Sequence, residues 1–399
     1  MRRLLMTFTA LAGLTAAQAA EAPKPMFGSW GVDLAGMDKS VKPGDDFFKF
    51  VNGAWYKTAE IPADRSSIGG FTSLAILSEQ RLKELVAILE AKKDADLSAE
   101  ERQIKDFYDT YVDTAALDKA GLKFADKDLK RFAALKTLAD VSRVMGEPNG
   151  GIDGPFNSGI DADPRNSDAY ILYIGQGGLG LPDRDYYIKD DKALKDTREA
   201  YRKFLGHMLE LAGYKDAASR GDAVFALETE IAKVSWAAAD RRDPQKTNNP
   251  MTFNDLDKYA PGFDWHGYFS ASGLSEKAPG GDRIVNVAEK TAFPEIAKIF
   301  AKTPVAVWRD FLITHYLHRM AGYLPKKFDD ANFEFYGTVL RGNKQQLPRE
   351  TRAVHELDNR LGHLLGKLYV ASSSAAKAKA DELRRQSAQS HDADIKTLT

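Results

Sequence analysis

Apolar residues that recur with the period of an α-helix are the feature of this sequence that most restricts its fold. Leu82, Leu85, Val86 and Leu89 fall at positions i, i+3, i+4 and i+7, and charged residues separate them. This spacing predicts an amphipathic helix that buries one face. Comparable patterns predict further helices in residues 98–111, 194–213, 219–238, 292–302, 304–322 and 350–370.

Local signals indicate where helices begin and where the chain turns. Ser98 is followed three residues later by Glu101, the pattern of a capping box, which predicts a helix start. Pro304 suits the first turn of a helix, because that turn needs no hydrogen bond from the proline nitrogen. Asn52 and Gly53 predict a turn inside the aromatic segment PGDDFFKFVNGAW, residues 43–55.

Strand signals are confined to the middle of the chain. The segment AYILYI, residues 169–174, is rich in β-branched and aromatic residues and ends at a glycine cluster. We therefore expect a mainly α fold, namely a large multi-helical lobe with a small β-containing insert around residues 150–190. After residue 370 the sequence becomes polar and low in aromatics, which predicts an exposed tail over residues 371–399.

The composition excludes several classes of function. The 399 residues carry a formal net charge of −1, which gives no reason to expect nucleic acid as a partner. The chain contains no cysteine, so disulfides, thiolate metal sites and thiol catalysis are all excluded.

The first residues resemble a secretory signal. Arg2 and Arg3 precede an apolar run over residues 4–17, and Ala17-Gln18-Ala19 follows as a small-x-small cleavage pattern. The run is shorter than the roughly 20 residues of a membrane-spanning helix. We therefore predict a cleaved signal peptide over residues 1–19, no transmembrane segment after cleavage, and an exported protein that is periplasmic or secreted.

Histidines offer two candidate metal sites. His355 and Glu356 begin like the H-E-x-x-H helix of zinc peptidases, but Asn359 stands where the second imidazole would be, and no H-E-x-x-H occurs in the sequence. His315 and His318, at i and i+3, are either a pair of metal ligands or histidines satisfied in a helix interface. We predict no catalytic residue and no metal ligand in this chain.

Two further motifs have ordinary structural interpretations. Residues 175–180 satisfy G-x-G-x-x-G after a predicted strand, but Leu181-Pro182-Asp183 follows at once, so a glycine-rich turn is expected instead of a dinucleotide site. Ser374 and Lys377 fit S-x-x-K, but they lie in the polar tail without the partner motifs of a serine acyltransferase.

Five segments together resemble the N-terminal half of the neprilysin-type, endothelin-converting-enzyme-like zinc endopeptidases in their bacterial exported form. They are SVKPGDDFFKFVNGAWYKTAEIPADRSS (40–67), GQGGLGLPDRDYY (175–187), RDPQKTNNPMT (242–252), YLPKKFDDANFEFYGTVLRG (323–342) and GKLYV (366–370). The similarity follows the family order over residues 27–370, which we expect to be the helical N-terminal domain.

The resemblance implies a two-lobed zinc enzyme in which this helical part covers a catalytic lobe and encloses a chamber for peptides. The zinc site with its H-E-x-x-H belongs to that catalytic lobe, which this chain does not contain. The resemblance thus implies no cofactor in this chain, zinc in the family's catalytic lobe, and peptides or a separate polypeptide with the catalytic lobe as partners.

One substrate-binding position of the family falls within the resemblance. In some relatives an arginine after the I-P of the first motif, with an aspartate five residues later, engages the carboxylate at the substrate's C-terminus. The equivalent positions here are Ser67 and Thr72, whereas Arg65 lies two residues earlier. Arg65 is therefore either a substitute carboxylate ligand or a structural arginine in a turn.

The aromatic segment at residues 43–55 has an implied role as well. In the family it packs where the two lobes meet, so Phe47, Phe48, Phe50 and Trp55 are expected to be partly exposed here. Three functions remain open: an N-terminal lid of an exported zinc metalloendopeptidase that is inactive alone, a non-catalytic peptide- or partner-binding pseudopeptidase, and a helical envelope scaffold.

Overall fold

The computed structural model describes residues 31–148, 154–278 and 281–372, and its mainly α character confirms the predicted fold class. The predicted signal peptide, residues 1–19, and the part of the tail with Ser374 and Lys377 lie outside the described residues. The α-helices in the described part are α1 Phe47–Thr58, α2 Gly70–Glu90, α3 Ala99–Val112, α4 Thr114–Ala120, α5 Asp126–Ala133, α6 Leu138–Met145, α7 Asp185–Ile188, α8 Lys192–Leu211, α9 Ala217–Val234, α10 Phe253–Tyr259, α11 Trp265–Ala271, α12 Ala292–Lys302, α13 Val305–Met320, α14 Lys326–Asn332 and α15 Arg349–Ser372.

Shorter helical segments connect some of these elements. Three 3₁₀ turns cover Asp94–Asp96, Asp240–Arg242 and Ala321–Tyr323, and a π-helix covers Phe333–Val339 directly after α14. Within the described ranges, no helix combines the length and the apolar character that crossing a membrane requires.

The chain divides into two compact units, residues 1–61 and 62–399. In the first unit, Asp46 caps α1 by accepting a hydrogen bond from the amide of Lys49. The prediction of a turn at Asn52 and Gly53 is wrong, because both residues lie inside α1. Glycine is required at position 53 for a close approach, since a Cβ atom there would lie 2.6 Å from Cβ of Asp38.

The second unit contains the predicted helices. In α2, Val86 and Leu89 are buried as their spacing predicts. The capping box at the start of α3 is present with both of its hydrogen bonds between Ser98 and Glu101. Pro304 lies just before α13 at the cap position, one residue earlier than predicted. The other predicted helices correspond to α8, α9, α12 and α15.

A four-stranded sheet crosses the middle of this unit. Its strands are β1 Phe156–Asp163, β2 Asn166–Gln176, β3 Pro250–Thr252 and β6 Ile284–Val287, in the order β1-β2-β6-β3. The β1–β2 pair is antiparallel, β2 and β6 are parallel, and β3 and β6 are antiparallel. A second, two-stranded sheet joins β4 Lys277–Ala278 to β5 Gly281–Asp282.

The predicted β-containing insert therefore supplies only two of the four strands, β1 and β2. Strand β2 pairs with β6, and β6 pairs with β3. Neither β3 nor β6 was predicted, and both lie far from β1 and β2 in the sequence. Asn249 and Asn286 hold these short strands in place, because the amide of Asn249 donates to the side chain of Asn286 and the Asn249 side chain donates to Val287 O. These side-chain hydrogen bonds add to the backbone pairing of β3 with β6, which joins residues far apart in the sequence.

Two hydrophobic clusters stabilise the second unit. The larger cluster contains the sheet and most helices, with Trp265 and Trp308 fully buried. The smaller cluster joins α2, α3 and α15 through Val86, Ile104 and Leu357. Of the two clusters, the smaller one includes residues of α15, namely Val354, Leu357 and Leu365.

Candidate functional site

The loop before α2 brings Arg65 into a charged network with two helices. The guanidinium of Arg65 forms an ion pair with the carboxylate of Glu79 on α2. The other carboxylate oxygen of Glu79 lies 2.7 Å from Nε2 of His355 on α15. The side chains of Arg65 and Glu79 are 18% and 12% exposed, so solvent screens their interaction only partly. The network links the loop, α2 and α15.

Burial and hydrogen bonding act on the pKa of Glu79 in opposite directions. Burial alone would raise this pKa, because desolvation disfavours the charged carboxylate. Hydrogen bonds from Arg65 and His355 outweigh burial and hold the pKa of Glu79 below its ordinary value of 4.5. Glu79 is therefore an ionised, paired carboxylate at neutral pH.

A cleft of about 650 Å³ adjoins this network. Its size is within the range of about 300–1,000 Å³ that is typical of ligand pockets. The amides of Lys344 and Gln345 both donate to Ala63 O at 2.9 Å, and these hydrogen bonds connect the loop before α2 to the loop before α15. The lining residues include Pro62, Ile76, Leu347 and Pro348 on the apolar side and Arg65, Glu79, Lys83 and Glu84 on the charged side.

Arg65 thus lines a cleft and is paired within it. A carboxylate ligand would share the guanidinium with Glu79, because Nε of Arg65 is buried and lies 3.7 Å from a carboxylate oxygen of Asp64. Ser67 is exposed in the loop, and Thr72 lies in the first turn of α2. Recognition of a substrate carboxylate by Arg65 stays a prediction. The ion pair between Arg65 and Glu79 is what a structural arginine would form.

The two residues of the incomplete zinc motif have different partners. His355 contacts Glu79 in the cleft. Glu356, the next residue on α15, accepts a hydrogen bond from the hydroxyl of Tyr323 and lies 3.7 Å from Nε of Arg360. The histidine and the glutamate are therefore both engaged by protein side chains.

The second histidine pair is held within a helix interface. Nε2 of His315 lies 2.9 Å from a carboxylate oxygen of Glu228, and Nδ1 of His318 lies 2.6 Å from Oδ1 of Asn332. Across residues 31–148, 154–278 and 281–372, no group of three or more His, Asp or Glu side chains could hold a metal ion. His315 and His318 thus both have protein partners in the helix interface, which is the second of the two alternatives that the sequence left open.

The glycine-rich turn is confirmed, because β2 ends at Gln176 and the next helix begins only at Asp185. Its last glycine lies against a tyrosine: a Cβ atom on Gly180 would lie 1.8 Å from the hydroxyl oxygen of Tyr201. The carbonyl of Gly180 accepts a hydrogen bond of 2.9 Å from Tyr336. The turn thus has a packing role, which explains its third glycine.

The same turn surrounds a fully buried carboxylate. Glu228 on α9 accepts hydrogen bonds from the amide of Gly180 at 3.0 Å, from the hydroxyl of Tyr187 at 2.5 Å and from the hydroxyl of Tyr201 at 3.0 Å. His315 is its fourth neighbour. Burial, and then the charge of Glu228, raise the pKa of both tyrosines well above the ordinary value of 10.0.

Sequence reasoning missed both Glu79 and Glu228. A signal for Glu228 exists, because Val224, Leu227 and Ile231 form the apolar face of α9 and Glu228 belongs to that same face by spacing. A charged residue on an apolar face predicts a buried carboxylate with several donors. Glu79 likewise falls on the face of α2 that carries Leu82 and Val86, but no local pattern indicates its partner His355, which is 276 residues away.

Comparison with known families gives a match over most of the chain. The family model for the N-terminal part of peptidase family M13 matches residues 43–399. The match covers the five segments on which the resemblance is based, the first of them from residue 43.

Individual relatives agree with this match. Mouse endothelin-converting enzyme-like 1 is 25% identical over 88% of this chain and 46% of its own length, and human endothelin-converting enzyme 1 is 24% identical over 87% and 46%. The crystal structure of the Mycobacterium tuberculosis zinc metalloprotease ZMP1 with an inhibitor aligns with a TM-score of 0.77 and 29% identity, covering 88% of this chain and 53% of that one. The chain therefore spans about half the length of the relatives it matches.

Proposed function

This chain belongs to peptidase family M13, as an N-terminal domain of the neprilysin type, and from this premise we propose that it forms the peptide-enclosing part of an exported zinc metalloendopeptidase. The observation that carries the proposal is the family match over residues 43–399. The similarity to a structure described as a zinc metalloprotease supports the same reaction class.

The cleft beside Arg65 is the site at which this domain would contact a peptide. Its apolar and charged lining suits a peptide backbone with mixed side chains. The guanidinium of Arg65 lines the cleft and is partly exposed, so it can donate to a carboxylate or to a peptide carbonyl. Binding at Arg65 would orient the peptide, whereas bond cleavage requires groups that this cleft does not supply.

The hydrolytic step is assigned to residues outside the described part of this chain. His355 is paired with Glu79, and Glu356 with Tyr323, so neither side chain is placed to hold zinc or to activate water. A catalytic lobe with an H-E-x-x-H motif would supply both functions, either in the same polypeptide or in a separate one. The signal features of residues 1–19 support export to the periplasm or the medium.

The test measures binding and cleavage separately. The purified chain is mixed with a fluorescent decapeptide, with and without Zn²⁺, and then with a polypeptide that contains the catalytic half of an M13 relative. We expect the chain alone to bind the peptide without cleaving it, and the mixture to cleave it until EDTA is added.

Two results would contradict the proposal. Cleavage by the chain alone that requires one bound Zn²⁺ would show that it has its own catalytic site. Peptide binding without any association with the catalytic half would favour the pseudopeptidase.

An Arg65→Gln variant should weaken peptide binding about tenfold, which corresponds to the loss of one charge-assisted hydrogen bond.

A further inference from the structure

A second cavity lies beside α3, α5, α13 and α15. It has a volume of about 570 Å³, within the range of ligand pockets of about 300–1,000 Å³. It does not include any residue of the cleft beside Arg65. Its lining comes from α3, α5, α13 and α15 and the segments next to them, namely Phe107, Asp128, Arg131, Glu147, Pro148, Tyr316, Met320, Tyr323 and Arg360.

The apolar part of the lining is aromatic and held in place. The ring of Tyr323 packs edge-on against Tyr111 at 5.4 Å, and the ring of Tyr316 packs edge-on against Phe132 at 5.5 Å. Both hydroxyls donate to carboxylates, Tyr316 to Asp128 and Tyr323 to Glu356. These contacts keep the rings in one position, so a flat apolar ligand would meet a preformed surface.

The carboxylates at the cavity already have donors. Asp128 accepts from Tyr316 at 3.1 Å and lies 3.7 Å from Arg131. Glu147 lies 2.5 Å from Nη1 of Arg131. Glu356 accepts from Tyr323 and lies 3.7 Å from Arg360. A ligand cation would therefore have to displace existing partners.

The guanidinium of Arg360, in contrast, retains donors that a ligand can reach. The side chain of Arg360 is 60% exposed, and its ion pair with Glu356 spans 3.7 Å. Since a guanidinium carries five N–H donors, Arg360 can bind a further acceptor. Arg131 is not assigned to the ligand, because it already pairs with Glu147 and Asp128 and its Nε is buried. The chemistry of the cavity thus favours an aromatic group joined to an anion.

We propose that this cavity binds an aromatic carboxylate, as presented by the C-terminal residue of a peptide that ends in phenylalanine or tyrosine. The ring lies among Phe107, Tyr316 and Tyr323, and the carboxylate pairs with Arg360 at the mouth. Carboxylates bind guanidinium groups in a planar, two-point geometry, which discriminates them from amides. This site is additional to the peptide cleft of the proposed function and requires neither zinc nor cleavage.

Isothermal titration calorimetry with three small probes tests the proposal. N-acetylphenylalanine should bind the purified chain with a Kd on the order of 1 mM, as its size allows. N-acetylphenylalaninamide lacks the charge and should bind at least about tenfold more weakly. N-acetylalanine lacks the ring and should give no measurable heat. Equal binding of the acid and the amide, or of the phenylalanine and alanine probes, overturns the proposal.

Variants assign the binding to this cavity. Arg360→Gln should weaken binding of N-acetylphenylalanine about tenfold, whereas Lys367→Gln, which removes an exposed charge from the same helix, should leave it unchanged. Met320→Trp should abolish binding by filling the cavity. If this larger substitution prevents folding, the comparison of Arg360→Gln with Lys367→Gln still decides, because both side chains are exposed. An unchanged affinity in Arg360→Gln overturns the proposal.

Discussion

At the scale of single residues, Glu228 shows how this fold keeps a charge in its interior. The side chain is fully buried, and a carboxylate in such a place is tolerated only when donors surround it. Gly180, Tyr187, Tyr201 and His315 supply them from the glycine-rich turn, α7, α8 and α13. One side chain on α9 thus organises four segments of the sequence.

We expect Glu228→Gln to destabilise the protein by about 3–5 kcal/mol, because the amide loses the negative charge and presents N–H groups to neighbours that are donors themselves. Glu230→Gln is the matched control: it lies on the same helix, and its side chain is 46% exposed in a pair with Lys233. The control should change the free energy of unfolding by less than about 0.5 kcal/mol. Urea denaturation measures both, and equal effects would refute the interpretation of Glu228 as a structural centre.

At the scale of secondary-structure elements, Glu79 adds a polar contact with His355 to the apolar packing between α2 and α15. The pKa of Glu79 is lower in the folded protein than its ordinary value of 4.5. Its contribution to stability is therefore full above about pH 4.5 and is lost as the pH falls through the lowered, folded-state pKa. This contact is therefore expected to weaken in acid.

We predict that Glu79→Gln costs about 1–3 kcal/mol near neutral pH, since it leaves Arg65 and His355 without their shared acceptor. The cost should shrink as the pH falls through the lowered pKa of Glu79, because the side chain of the parent protein then becomes protonated as well. Glu84→Gln, an exposed change on the same helix, is the control. Hydrogen exchange at the start of α15 measures the effect, and a cost independent of pH would contradict the assigned ion pair.

The glycine-rich turn gives a second prediction at this scale. Gly180→Ala should be severely destabilising, by more than about 3 kcal/mol, because its Cβ would overlap the hydroxyl of the buried Tyr201. Gly159→Ala on the exposed strand β1 provides the control, since nothing lies within 4 Å of its Cβ. Soluble yield and thermal unfolding distinguish the two variants. A well-folded Gly180→Ala protein would show that the turn has room to move.

The elements differ in how far the sequence predicts them. α2 and α3 carry a repeated apolar spacing and a capping box, which act over a few residues and are therefore readable. β3 and β6 are short, and their pairing depends on Asn249 and Asn286, which are 37 residues apart. The residues around Gly53 predict a turn, but this glycine lies inside α1 and allows Asp38 to pack closely against the helix. Contacts between distant residues, such as Glu79 with His355, leave no local pattern.

At the scale of the whole molecule, the first unit contains the exposed aromatic cluster that the sequence predicts. Phe47 and Phe48 are 67% and 55% exposed, which confirms that part of the aromatic segment faces solvent. Phe48 packs edge-on against Tyr56 at 6.0 Å, and Phe47 lies 6.4 Å from Phe50. Clustered exposed aromatics, unlike single ones, typically mark an interaction surface.

This surface should bind a hydrophobic dye and promote self-association of the isolated chain. Replacing Phe47 and Phe48 together by serine should lower dye fluorescence and the fraction of oligomer, with little loss of stability because both side chains are exposed. Replacing Phe71 and Phe124, which are 92% and 70% exposed and belong to the second unit, removes the same number of rings elsewhere. Dye titration and analytical ultracentrifugation compare the two variants. If both lose the same signal, exposure of single rings suffices and the cluster has no special role; if only the first does, α1 carries the association surface.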